Sequence, residues 1–320
     1  MGESLAILAL VLFSSNIILT KVASERLDLQ LGFLISVAVN VLFSLVLLII
    51  QFFFRESPFQ WNSFGFFFFM LSGFFNTYLG RWFFFDAIAI LGPSKASTFQ
   101  VSNPLFTVII AWMFLGERLS VLDFLSIVIV LLGLFLVSYS PKVFIKKQVS
   151  ATQESTGIEP HLVDEASKPP SKWKIILKSG IFLAFFSTVS YAIGNVLRGA
   201  AIQEWNEPIL GGLIGAAMGL FLHYITSSHK KNLWAQLKQA DRKGFFYYLM
   251  SGVITITAQI CVIASMRYIP VSIATLITLS TPLLVTPLSY YLLKNQEAIT
   301  FVTVSGIALV LSGISMIILI

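Results

Sequence analysis

Arg81 is the residue with the greatest capacity for chemistry, in the segment Asn76-Thr77-Tyr78-Leu79-Gly80-Arg81, with Phe83 to Phe85 following immediately. A lone charge at mid-bilayer costs about 2.5–3.5 kcal/mol even on lenient scales, so one held there marks a contact with a solute or a neighbouring helix. Its guanidinium presents five N–H donors in a planar fork that matches a carboxylate or a phosphate. Asp86 is the only acid that hydropathy places inside a span, and at 100° per residue it points roughly 140° away from Arg81 on the same helix. Local pairing is therefore poor. Two readings follow: Arg81 faces a cavity and holds an anionic group, or it snorkels or donates to backbone carbonyls of another helix.

Uncharged polar residues at membrane depth complete the candidate substrate-binding set: Asn16, Tyr78, Gln100, Asn103, Tyr191, Asn195, Gln259, Thr278 and Thr281 join Arg81. Asn40 and His223 are similarly placed. Residues of this kind bridge helices more often than they bind ligands. Pro104 and Pro282 each fall at the eleventh residue of an apolar run, where a missing N–H frees the carbonyls of Gln100 and Thr278. Freed carbonyls at this depth persist where they line a cavity or find polar neighbours, so both prolines are candidate hinges. Pro287 loosens the second of these runs again. The alternative is a static kink with Ser and Thr packed between helices. The phenylalanine clusters, such as Phe66 to Phe69, are mostly packing bulk or lipid-facing.

The elements that must position these residues are written twice. Pro93 to Ser138 and Pro270 to Met316 each begin with proline and a Ser-x-Ala-Ser/Thr run, reach Pro104 or Pro282, turn at Glu117 or Glu297, and end in an apolar run holding Gly133 or Gly313. A shift of 178 superposes Ser94, Ala96, Ser102 and Pro104 on Ser272, Ala274, Ser280 and Pro282, and sets Gln259 opposite Arg81. Beyond the turn the shift becomes 180, matching Glu117, Ser120 and Gly133 to Glu297, Thr300 and Gly313. The fronts match loosely, with Lys21 against Arg198. Glu117 and Glu297 are expected to cap the helices that follow them, near Ser120 and Thr300.

With 57% apolar and 11% charged residues and a mean hydropathy of +0.86, the chain has lipid as its solvent. Apolar runs of about 20 residues predict spans near 4–22, 31–54, 63–90, 94–115 and 121–139, then 178–200, 207–227, 245–268, 272–293 and 299–319. The first lacks a basic start, which predicts an uncleaved helix. Between the sets lies a polar, Pro- and Ser-containing stretch that reads as a flexible linker. The predicted organisation is a five-helix repeat over 1–140, a linker over 141–174 and a second repeat over 175–320. Five crossings return the chain to the opposite face, so the second repeat is inserted upside down. The fold class is an all-α membrane protein of ten transmembrane helices in two inverted repeats.

These features resemble a known family. Ten helices, the first-helix segment Phe13-Ser14-Ser15-Asn16 followed by Lys21, and the turn Leu115-Gly116-Glu117-Arg118-Leu119-Ser120 look like the EamA-type transporters of the drug/metabolite transporter superfamily. The resemblance covers nearly the whole chain apart from the linker, and it places Asn16 within a motif. It implies two inverted five-helix repeats around a central cavity that carries small metabolites such as amino acids or nucleotide-bearing sugars. Two departures weaken the transfer of any subfamily's substrate: Phe13 stands where the family usually has tryptophan, and Leu293-Lys294-Asn295-Gln296-Glu297 replaces Leu-Gly-Glu.

Other classes lose ground. One cysteine excludes a disulfide scaffold, the three histidines show no metal spacing, and no nucleotide-binding glycine loop or nucleophile elbow is present. No enzyme, catalytic residue, metal or cofactor is expected. The first helix offers Ser14, Ser15 and Asn16 but no acid for a proton relay, which leaves exchange against a counter-substrate or facilitated flux on equal terms with proton coupling. Of 21 Lys and Arg, sixteen lie on the linker's side of the membrane, four on the other including Arg198, and Arg81 within it. That count puts the linker in the cytoplasm and both termini outside, whereas the resemblance implies termini inside. The net charge of +6 is thus a topology signal, not a sign of nucleic acid. The expected function is a multi-pass carrier in the lipid bilayer, in a bacterium the cytoplasmic membrane. It moves a small polar or amphiphilic solute, amino-acid-like or otherwise anionic, by alternating access. The competing classes are a channel and a non-transporting scaffold or receptor.

Overall fold

The computed structural model describes residues 1–91, 99–138, 180–226, 237, 240–292 and 301–319. Among them every regular element is helical. The first half gives α1 (Gly2–Ser24), α2 (Leu29–Phe53), α3 (Ser63–Gly73), a π-helical stretch (Phe74–Gly80), α4 (Arg81–Leu91), α5 (Asn103–Leu115) and α6 (Val121–Ser138). The second gives α7 (Gly180–Glu204), α8 (Pro208–Thr226), α9 (Arg242–Ser265), α10 (Val271–Leu279), α11 (Pro282–Leu292) and α12 (Phe301–Leu319). Five of these, α1, most of α2, α7, α8 and α9, are each long and apolar enough to cross a bilayer unaided. The third crossing is one rod assembled from α3, the π stretch and α4.

The fourth and ninth crossings stop and restart rather than bend. Ser102 precedes α5, whose first turn holds Pro104, and Ser280 ends α10 just before Pro282 opens α11. A proline in a first helical turn sacrifices no hydrogen bond, so each begins a new helix instead of kinking an old one. The breaks are separated by the same 178 residues as the sequence repeat. Pro287 remains inside α11.

The packing of the crossings has a pseudo-two-fold pattern. The first crossing (α1) packs on the eighth (α9) as the sixth (α7) packs on the third, and α1 meets the ninth as α7 meets the fourth. The second crossing meets the eighth as the seventh meets the third, while second and seventh, fourth and ninth, and fifth and tenth pair across the axis. These are the relations expected of two inverted five-helix repeats. Gly133 and Gly313 occupy the crossing of α6 and α12. A Cβ on Gly133 would lie 2.7 Å from the Gly306 carbonyl, and one on Gly313 would lie 2.5 Å from Val130. Small residues there let the two backbones touch.

Helix ends alternate between two faces, called here the terminal face (residue 1 and the turns after α2, α5, α7 and α9) and the linker face. On the terminal face Arg55 pairs with the buried Glu207, which also accepts from Gln51 at 3.2 Å. The capping expectation for Glu117 requires correction. Ser120 and Asp123 cap α6 reciprocally, at 2.9 and 3.1 Å. Glu117 instead reaches across the halves to the start of α10, accepting from Val271 N at 2.5 Å and from Ser272 N and Oγ at 3.3 and 2.6 Å. The free N–H groups and positive dipole end of α10 attract it. Gly116, at φ +65°, makes the tight turn that sends Glu117 there. The linker at 141–174, residues 92–98 and the Glu297 turn lie outside the described residues.

Candidate functional site

Helix α7 carries a polar stripe, Ser187 and Thr188, Tyr191, Asn195 and Arg198, whose spacing of about four places it on one face. That stripe meets the π stretch, α4, α5 and α9. It runs from near the linker face toward the terminal face.

At the linker end Ser187 Oγ donates to the Gly80 carbonyl at 2.7 Å and accepts from Gln100 Nε2 at 2.8 Å. His223 Nε2–H donates to the Thr77 carbonyl at 2.8 Å. A π turn pairs N–H groups five residues back, so carbonyls at its edge need donors from other helices, and α7 and α8 supply them. The widened turn ends at Arg81. The Arg81 guanidinium carbon lies 4.0 Å from the centre of the Phe33 ring, which also meets His223 edge-on at 4.9 Å. The Tyr191 ring packs against Gly80, the residue before Arg81, where a Cβ would lie 3.1 Å from it.

The middle of the stripe is an amide ladder. Asn76 Nδ2 donates to Asn195 Oδ1, and Asn195 Nδ2 to Asn103 Oδ1, each at 3.4 Å. Asn103 Nδ2 donates to the Thr188 carbonyl at 3.3 Å, and Thr107 Oγ1 to Asn103 Oδ1 at 3.2 Å. This ladder ties the third, fourth and sixth crossings together beside the break at Ser102. Toward the terminal face Arg198, only 9% exposed, donates from Nη2 to Gln259 Oε1 at 3.1 Å.

Neither Arg81 nor Arg198 has a carboxylate within 4.0 Å among the described residues. Asp86 is exposed. Among the described residues, the fully buried side-chain polar atoms that lack partners are Gln51 Oε1, Arg55 Nη1, Asn76 Oδ1, Tyr248 Oη and Thr275 Oγ1. No guanidinium nitrogen of Arg81 or Arg198 is among them.

Of the residues singled out from sequence, Arg81, Gln100, Asn103, Tyr191 and Asn195 converge around α7, and Gln259 joins through Arg198. Tyr78 is buried toward α8, with His223 5.2 Å away ring to ring. Asn16 lies elsewhere, accepting from Ser251 at 2.7 Å between α1 and α9. Asn40 is buried, and its amide N–H, turned toward its acceptors, meets the Ser36 and Gly252 carbonyls. Thr278 is buried and donates to its own helix at Ala274, and Thr281 is half-buried in the break.

Sequence reasoning missed Arg198, Phe33, Ser187 and the π stretch. Arg198 falls within the predicted span 178–200 yet is counted with the terminal face; it is buried and α7 continues past it to Glu204, and without it three cations remain on that face. Its seven-residue spacing from Tyr191 was the available signal. A separate groove of about 920 Å³, lined largely by apolar groups including Phe64, Phe68, Ile110 and Leu197, opens at the terminal end and touches none of the polar stripe. No group of three or more metal-ligating side chains occurs among the described residues.

The model of the EamA-like transporter family matches residues 1–139 and 178–319. No curated protein matches the sequence. A solved structure described as "Crystal structure of protein" is similar in fold, with a TM-score of 0.68 at 14% identity, over 98% of this chain and 97% of that one.

Proposed function

The chain belongs to the EamA-like transporter family, and from that premise we propose that it is a secondary carrier for a small anionic solute. The family consists of membrane transporters of the drug/metabolite type, which makes the chain an integral membrane protein that handles a small molecule. The observation that carries the finer reading is Arg81. It lies within the third crossing, after a π turn whose freed carbonyls are supplied from α7 and α8, with no carboxylate partner among the described residues. A guanidinium in that setting is stabilised by an anion that arrives and leaves.

Alternating access follows from the same frame. The two halves exchange equivalent contacts, and each has one crossing broken at the same depth, which supports rocking of one half against the other about Ser102–Pro104 and Ser280–Pro282. The amide ladder beside the first break holds α5 to α7 during that motion. No step calls on ATP or a metal.

The reading is tested in proteoliposomes. Uptake of a carboxylate or phosphate ester, chosen by its thermal stabilisation of the purified protein, should saturate and should accelerate when the lumen holds unlabelled solute. Saturable uptake without counterflow would assign a channel, and no flux a scaffold. With Arg198 inside the membrane, the cation count of sixteen against three supports a cytoplasmic linker face. A reporter fused after Ile320 that is active only outside the cytoplasm should therefore be active.

A further inference from the structure

We propose that Arg198, held by Gln259, is a second anion subsite beside that of Arg81 along the polar face of α7, and that the solute is a small dianion with its charges at separate ends. This rests on the reading that the protein takes an anion at all, and extends it to charge number and orientation.

Placement comes first. Tyr191 and Arg198 lie on one face of α7, separated by about 10 Å of helix rise, and the Tyr191 ring lies against Gly80, the residue before Arg81. Arg81 therefore meets the α7 face on the linker side of Arg198. The two cations lie at different depths along that face.

Charge balance comes next. Arg198 is buried and donates to a neutral amide, and Arg81 rests on the face of Phe33. Neither contact cancels a charge. A neutral solute would leave two uncompensated cations in the membrane interior, and a monoanion would leave one. A dianion leaves none, and an uncompensated buried charge is the costliest of these outcomes. Gln259 contributes orientation: by accepting from Nη2 it fixes the fork so that the remaining N–H groups point away from α9.

The experiment measures thermal unfolding of the purified full-length protein in detergent with two probe series, α,ω-dicarboxylates of three to ten carbons and ω-carboxyalkyl phosphonates. Each is paired with its monoester and with a neutral diester or diamide. The expected wild-type result is stabilisation by at least one dianion at concentrations about tenfold or more below those its monoester requires. Arg198→Gln should bring dianion and monoester to the same concentration while leaving the monoester unchanged, and Arg81→Gln should remove stabilisation by both. Arg198→Lys, which keeps the charge, should retain a preference for the dianion and guards against a folding defect in Arg198→Gln. Equal stabilisation by dianion and monoester in the wild type overturns the proposal but leaves an anion carrier standing. So does an Arg198→Gln protein that weakens both equally, or neither. Stabilisation by the neutral members alone, or by no member of either series, overturns both the dianion proposal and the anionic reading beneath it.

Discussion

Two interfaces of this molecule are equivalent by its pseudo-symmetry and opposite in chemistry. Where α7 packs on the third crossing, the contact holds Arg81, Tyr191, Asn76 and Asn195, with Arg198 one turn farther along α7. Where α1 packs on α9, the equivalent contact holds Asn16, Thr20 and Ser251, linked at 2.7 and 3.4 Å, while Lys21, the loose repeat counterpart of Arg198, is exposed and pairs with Glu25. The backbones differ too. The third crossing carries a π stretch before Arg81, whereas α9 runs as an uninterrupted helix through Gln259, the residue opposite Arg81 in the repeat. Duplication thus keeps the packing of both halves, while the buried charge is concentrated in one interface. On the proposed reading, the anionic groups of a solute would face α4 and α7.

The comparison is broken most directly at Arg81. Arg81→Gln should lower transport of an anionic solute about 100-fold, the upper range for losing hydrogen bonds to a charged group, while a neutral analogue is affected far less. Equal loss for both would show that Arg81 only holds helices together. Adding Gln259→Arg to Arg81→Gln should not restore the anion, because a straight α9 lacks the widened turn and the Phe33 ring that receive the guanidinium at Arg81. Restoration would make the two interfaces interchangeable.

Tyr191→Phe sharpens the same contrast more mildly. It removes one hydroxyl from the polar face of α7 beside α4 and leaves the ring, so affinity for the anion should fall about tenfold with little change in unfolding temperature. A drop in unfolding temperature with unchanged affinity would make Tyr191 a helix tie, the role Asn16 and Ser251 play between α1 and α9.

What could be read from the chain alone follows the physics of each signal. Apolar runs and the doubled proline–glutamate pattern give the crossings and their inversion, because hydropathy and turn chemistry act over short stretches. Arg81 stands out for the same reason. The π stretch is invisible, since Phe74–Gly80 has no composition distinct from an α-helix and is stabilised by Ser187 and His223 from distant helices. Arg198 stands near the end of the predicted span 178–200 and is counted with the terminal face, whereas its burial comes from packing with Gln259 on α9. Glu117 was assigned to the nearer helix end, whereas the fold brings it the start of α10, 154 residues on. Each miss involves a partner that is remote in sequence.

The amide ladder separates packing from binding within the charged interface. Asn195→Ala would remove the link between Asn76 and Asn103, and it should cost about 1 kcal/mol, near the upper range for hydrogen bonds between transmembrane helices. Thermal unfolding would show it. Turnover should fall more than affinity, because the ladder braces α5 beside the break at Ser102 without meeting either arginine.

The smallest effect belongs to the uncharged interface and tests the asymmetry from its quiet side. Asn16 accepts from Ser251, which also meets Thr20, and all three of these groups are uncharged. Asn16→Ala should therefore cost about 0.6 kcal/mol of stability, the average for such bonds between transmembrane helices, and leave anion affinity within about twofold. Asn16 nevertheless sits in the first-helix segment most like the family's motif, which makes the result informative in either direction. If Asn16→Ala weakens anion binding as much as Tyr191→Phe does, the solute spans both interfaces, and the division of charge between α7 and α1 reflects where its two ends rest. If binding is unchanged, the chemistry belongs to α4 and α7, and α1 with α9 serves as the apolar wall against which the solute turns.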